Sequence, residues 1–253
     1  MKRLLVTVLA LAGAASASAQ IIMQDNFDSY ADQAAYDAVW TPTAATHVNG
    51  TLSTDQAVSA PNSVRTLTNA AGTQGSYRNL GGEYDGTDAQ PLVVSFWQYY
   101  ITGGTRHYNE VRGYTGAGFN DGSLVQLYAA GWNNSVTAPG EVFAGNKFQG
   151  RVAFGAGTGW VNLNGAGSPN RTDGWHKFTI EIRTNDVNFY VDDILSRNFT
   201  RGTLSSFDTY VIGSRLSSAE VATYTDDVLV EQTPEPTTLA LLGLAGVALL
   251  RRR

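Results

Sequence analysis

The side chains best equipped for chemistry are carboxylates, and they fall in two tight groups: Asp192-Asp193, and Asp226-Asp227 with Glu231. Cleaving a glycosidic bond with an acid and a nucleophile takes carboxylates flanking the bond, about 5–5.5 Å apart, which one strand supplies by alternation. No E-x-D-x-E or E-x-D-x-x-E run occurs. Both acidic groups sit at strand ends or turns, where aspartate commonly serves the backbone. A second arrangement, Arg106, Tyr108, Glu110 and Arg112, alternates so that all four side chains share one face of a strand. An exposed charged face is the expectation there. His47, His107 and His176 are too scattered for a metal centre, with His176 expected at the edge of the core. There is no G-x-S-x-G elbow, and the absence of cysteine excludes disulfides, zinc–thiolate sites and thiol nucleophiles.

Aromatic side chains offer a different chemistry, in which sugar C–H faces stack on rings while hydroxyls meet polar side chains. Tyr114, Phe119, Tyr128, Trp132 and Trp160 lie in segments mixing Asn, Gly and aromatics, such as Gly131-Trp132-Asn133-Asn134. Tyr114, Tyr128, Trp132 and Trp160 are therefore the candidate glycan-binding residues, whereas Trp97 and Trp175 are expected in the core.

The elements that must position these groups are strands. His176 to Arg183 alternates His176, Phe178, Ile180 and Ile182 with Lys177, Thr179, Glu181 and Arg183, one face dry and one wet. Thr184-Asn185-Asp186 turns into Val187 to Asp192, and Asp192-Asp193 turns into Ile194 to Phe199, making a meander. Pro91 to Ile101 is apolar on both faces and predicts a central strand covered on both sides. Further strands are expected at Val64 to Thr68, Ser123 to Ala129, Lys147 to Phe154, Thr209 to Ser214 and Thr223 to Val230. About a dozen strands joined by short turns imply an all-β, two-sheet antiparallel sandwich.

Both ends carry export signals. Lys2 and Arg3, the apolar stretch Leu4 to Ala12, and Ala17-Ser18-Ala19 make a secretory signal peptide over residues 1–19, with Gln20 as the first mature residue. Residues 233–253 hold Pro234-Glu235-Pro236, an apolar run from Leu239 to Leu250, and Arg251, Arg252 and Arg253. That run spans about 18 Å as a helix, short of the roughly 20 residues of a stable membrane span, and the arginines should stay cytoplasmic. Five of the 17 Lys and Arg and one of the 22 Asp and Glu (Glu235) lie in these two segments, leaving 12 against 21, so the domain at 20–232 carries a net charge of −9. Such a surface argues against nucleic acid or anionic lipid as the main partner.

The tail closely resembles the PEP-CTERM sorting signal of exported bacterial proteins. The resemblance implies passage through the Sec translocon and recognition, with cleavage near the motif, by an exosortase-type membrane enzyme. It also implies a Gram-negative-type cell surface or extracellular matrix as destination, after a transient inner-membrane stage.

A second resemblance lies in the body. Asp173-Gly174-Trp175-His176-Lys177-Phe178-Thr179 and Val187-Asn188-Phe189-Tyr190-Val191-Asp192 look like the strand and hairpin of concanavalin A-like and laminin-G-like jelly rolls. Gln24 to Tyr30 is similar to the first strand of that superfamily, and Tyr224 to Val230 to its last. The resemblance implies a jelly-roll sandwich. It also implies a structural calcium where first and last strands meet, with Asp25, Asp28 and Asp227 as candidate ligands. Asp226 is expected to point inward, in phase with Tyr224, Val228 and Val230, and a buried aspartate needs a cation or backbone N–H groups. The Arg106–Arg112 strand distantly resembles the R-x-E-x-R strand of alginate-type lyases, whose other signatures are absent. The expected function is a non-catalytic, exopolysaccharide-binding surface protein; a purely structural matrix component is the alternative, and a polysaccharide lyase or hydrolase a more distant one.

Overall fold

The computed structural model describes residues 18–68, 74–103, 106–116, 118–153, 159–201, 205–213 and 221–233. The signal segment through residue 17 and the tail from Pro234 onward lie outside these residues. In chain order the elements are β1 (Gln20–Asp25), α1 (Gln33–Asp37), β2 (Thr41–Pro42), β3 (Thr51–Ser53), β4 (Ser63–Thr68), β5 (Ser76–Tyr84), β6 (Leu92–Tyr100) and β7 (Arg106–Tyr114). They continue with β8 (Leu124–Asn133), β9 (Gln149–Ala153), β10 (Gly159–Asn162), β11 (Gly174–Ile182), β12 (Asp186–Val191), β13 (Ile194–Thr200), β14 (Phe207–Ile212) and β15 (Val221–Gln232).

The strands form two antiparallel sheets. The first runs β13-β12-β11-β6-β15-β4-β3, with β1 also paired to β15; the second runs β10-β9-β8-β7-β14-β5-β2. Their inner faces enclose one core built on Trp40, Phe96, Phe148, Phe178, Phe189, Phe207 and Tyr210. The β11–β12–β13 meander forms as its alternation predicts: His176, Phe178, Ile180 and Ile182 are buried, as are Val187, Phe189 and Val191. Asp192 and Asp193 both adopt positive φ (51° and 64°), the two-residue turn whose twist matches the flanking strands.

Four expectations are corrected. Strand β6 is central, but only Leu92, Val94, Phe96, Gln98 and Tyr100 are buried; Val93, Ser95, Trp97 and Tyr99 lie half-buried on the outer face. Trp97 and Trp175 are therefore outer-face residues rather than core, being paired with Lys177 and Tyr99 on that face. Asp226 points outward as well, pairing with Trp97, because β15 bulges between Asp226 and Leu229 and Asp227 takes φ +45°. The extra residue switches the side-chain phase, so Tyr224 and Asp226 face out while Val228 and Val230 face the core. Finally, β7 is buried along almost its whole length, including Tyr108, Glu110 and Arg112, so its charged alternation is not an exposed face.

Candidate functional site

The outer face of the first sheet carries a continuous cross-strand rank. Register places Thr51 on β3, Arg65 on β4, Tyr224 on β15, Tyr99 on β6 and Trp175 on β11 side by side. Neighbouring strands lie about 4.8 Å apart, so same-face side chains in such a rank touch. Tyr99 meets Trp175 edge-on at 5.4 Å and Tyr224 at 6.0 Å between ring centroids. The next rank holds Asp226, Trp97 and Lys177. Trp97, Tyr99 and Trp175 are half-buried, so part of each ring meets solvent, while Tyr224 is buried. Beyond them on the same face, Thr179, Glu181, Asn188 and Tyr190 supply hydroxyl, carboxylate and amide groups. Burial and the neighbouring Asp55 raise the Tyr224 phenol above its ordinary value, so it stays a neutral hydrogen-bonding group.

Asp226 closes one side of this surface. Its Oδ2 accepts hydrogen bonds from the backbone of Val58 (2.8 Å) and Ser59 (3.1 Å), and its Oδ1 from the Asp227 N–H (2.8 Å). Burial pushes its pKa up to about 6 against the lowering effect of those bonds. A carboxyl poised near neutrality suits a general acid, but this one is fully buried beneath the loop carrying Val58 and Ser59, with both oxygens engaged.

The predicted stacking residues lie elsewhere. Tyr128 faces the inter-sheet core against Phe207. Trp132 is buried against Tyr100 and Phe143, with the Arg171 guanidinium over its ring. Tyr114 and Trp160 are on the outer face of the second sheet, but both are buried, at 5% and 7% exposure. Trp160 packs on Tyr108 at 4.6 Å, and Tyr114 on Phe119, which itself stacks on Tyr77 at 4.1 Å. The Arg112 Nε donates to Glu110 Oε2 at 2.6 Å and its Nη1 to the Tyr114 hydroxyl at 3.1 Å. The expectation of exposed platforms at these four rings is thus corrected: each is spent on packing.

The carboxylates expected around calcium have protein partners instead. Asp25 accepts from the Phe27 N–H (2.9 Å), the Tyr30 hydroxyl (2.5 Å) and Trp40 Nε1 (2.9 Å). Asp28 accepts from the Asn62 N–H and the Asn26 amide, and Asp227 from the Ser59 hydroxyl. N–H and O–H donors surround a carboxylate in place of a cation, and a calcium site needs six to eight oxygens. These donor sets do not fit the ion, and among the described residues no three acidic or histidine side chains gather to hold a metal.

Signals for the outer-face rank were present in the sequence. Trp175 and Trp97 occupy the wet phase of the alternations set by Phe178-Ile180-Ile182 and Phe96-Val94-Leu92, and tracking the phase rather than the size of the side chain finds them.

These features define an antiparallel two-sheet jelly-roll sandwich with outward-facing aromatics. At its C-terminus, residues 232–253 match the PEP-CTERM protein-sorting motif, taking in Pro234, Glu235, Pro236, Arg251, Arg252 and Arg253, and this motif implies export and cell-surface association. The carbohydrate esterase of the Shiga toxin-encoding bacteriophage phi24B is similar in fold, with 11% identity, 85% of this chain and 100% of that chain covered, and a TM-score of 0.52. A protein of unknown function with a galectin-like fold from Bacillus subtilis matches with 10% identity, 87% and 100% coverage and a TM-score of 0.50. A sialidase matches with 9% identity over 85% of this chain, which spans 19% of the sialidase, at a TM-score of 0.49. No curated protein matches the sequence. Among the described residues no helix is long and apolar enough to cross a membrane.

Proposed function

We propose that this exported jelly roll holds a polysaccharide against the outer face of its first sheet without cleaving it, at the cell surface or in the extracellular matrix. The observation that carries the reading is the contiguous rank Trp175–Tyr99–Tyr224 with Trp97 beside it. The part-exposed rings of Trp175, Tyr99 and Trp97 offer apolar surface to sugar C–H groups, with Tyr224 buried beside them. Thr179 lies within the same face to meet hydroxyls, beside a polar network in which Glu181 accepts from Arg183, Asn188 and Tyr190. Binding without cleavage is favoured by the state of the buried carboxylates: Glu110 is tied to Arg112 and Asp226 to backbone amides. Neither stands ready opposite a second acid across a groove.

Delivery would use the two terminal segments, with the Sec translocon taking residues 1–19 and an exosortase-type enzyme acting at Pro234-Glu235-Pro236. The test is affinity electrophoresis through gels containing the producing organism's exopolysaccharide, paired with an assay for new reducing or unsaturated ends. Retardation without new ends is expected. Unretarded migration of folded protein would leave a matrix-structural role, and new chain ends would make it an enzyme.

A further inference from the structure

A second, separate feature opens at the seam between the sheets. A cavity of about 500 Å3 is lined by Gln24, Asp25, Asn26, Ser29, Tyr30, Val39 and Arg78, a size ordinary for small-ligand sites. Its floor is rigid. Tyr36 of α1 is fully buried and, with Phe27, Tyr30 and Trp40, forms an aromatic cluster with centroids 5.6–6.5 Å apart. Asp25 is anchored in that cluster by the Tyr30 hydroxyl and the Trp40 indole.

Arg78 supplies the cation of the cavity wall. It pairs with Tyr210 in register and so stands on the inner face of β5, where a cation has no packing role. Among the described residues it makes one hydrogen bond, from Nη1 to Asp25 at a long 3.4 Å. That contact is also an ion pair with the buried Asp25 carboxylate, which accepts shorter bonds of 2.5–2.9 Å from the Phe27 N–H, Tyr30 and Trp40. The guanidinium, about a third exposed, therefore has donors left over at the cavity wall. Gln24 and Ser29, both exposed on the rim, make no side-chain hydrogen bond among the described residues.

We propose that this seam pocket is a second carbohydrate subsite, taking one neutral hexose unit through hydroxyl contacts with Arg78, Gln24 and Ser29. The chemistry of the lining selects the ligand. The remaining guanidinium N–H groups can donate to hydroxyl oxygens, and amide and hydroxyl groups both give and accept hydrogen bonds as sugar hydroxyls require. The Asp25 carboxylate on the wall and the −9 charge of the domain disfavour an anionic sugar, while Arg78 repels a cationic one. The proposal takes its ligand class from the glycan-binding reading but rests on different residues.

The test is saturation-transfer NMR on the full chain with D-glucose, D-galactose, D-mannose and D-glucuronate as separate probes. Saturable transfer to at least one neutral hexose is expected in the wild type and in Trp175→Ala, and its affinity should fall on the order of tenfold or more in Arg78→Leu. Because Arg78→Leu could disturb the seam, Ser29→Trp serves as a second variant, filling the cavity from its exposed rim and leaving the Asp25–Arg78 contact intact; it should abolish transfer. No transfer to any neutral hexose in folded wild type, transfer undiminished in Ser29→Trp, or a preference for D-glucuronate would overturn the proposal. Loss of polymer binding in Trp175→Ala with hexose transfer retained would separate the two sites.

Discussion

His176 Nδ1 lies 2.9 Å from Asp192 Oδ2, while its Nε2 lies 2.9 Å from the carbonyl oxygen of Thr172. Both ring nitrogens thus face acceptors, and only the imidazolium can donate to both. Burial pushes the His176 pKa down, but the bonds to Asp192 and Thr172 push it up further, and the net shift is upward. A base with a raised folded-state pKa contributes stability that is complete below the unfolded value near 6.5 and is lost as pH rises through the folded value. Urea unfolding should therefore show a declining midpoint above about pH 6.5, and His176→Gln should remove that slope. A wild-type midpoint that rises across the same range would contradict the assignment.

His107 has the opposite sign. It is buried, with neither ring nitrogen hydrogen-bonded among the described residues, and burial lowers its pKa to about 4. The unfolded chain then binds a proton that the folded one does not, so stability falls as pH drops from about 6.5 towards 4. His107→Leu should flatten the acid limb of the stability profile, measured by denaturation at pH 4.5, 5.5 and 7. An unchanged acid limb would show that His107 is not its source.

Glu110 and Arg112 form a buried ion pair on the outer face of the second sheet. Removing one partner strands a charge away from water, so Arg112→Met should destabilise the fold by about 3–5 kcal/mol. The double variant Glu110→Leu/Arg112→Met should recover much of that loss, since neither charge is then left unpaired. Denaturation of the three proteins checks this, and an Arg112→Met variant as stable as wild type would refute the buried pairing.

Chelation should leave the protein untouched. Asp25, Asp28 and Asp227 each accept hydrogen bonds from the chain itself, so thermal unfolding in EDTA and in millimolar calcium should coincide. A midpoint several degrees higher in calcium would reinstate a metal near these carboxylates.

The strands were readable where alternation was clean. Phe178-Ile180-Ile182 and Val187-Phe189-Val191 each announce a dry face, and those residues are the core. What local pattern could not reveal came from two sources. The bulge at Asp227 reverses the phase within β15, so extending the Val228-Val230 pattern backwards puts Tyr224 and Asp226 on the wrong face. Residue type also misled: Trp132 and Tyr128 look like platform residues but fill the core, while Trp175 and Trp97 look like core and face out. A ring's destination depends on which sheet face its strand phase serves, and on whether a distant segment covers that face, as Phe119 covers Tyr77. The terminal sorting motif was legible in full because it is linear and needs no tertiary context.

The central claim is that the outer-face rank binds polysaccharide, and calorimetric titration of residues 20–233 with isolated exopolysaccharide tests it most directly. The account predicts saturable binding, and a fall in affinity of about tenfold in Trp175→Ala, the size expected from losing one stacking contact. Trp175 is half-buried, so the unfolding midpoint of that variant should stay close to wild type. No heat with demonstrably folded protein, or an affinity unchanged in Trp97→Ala/Trp175→Ala, would contradict it.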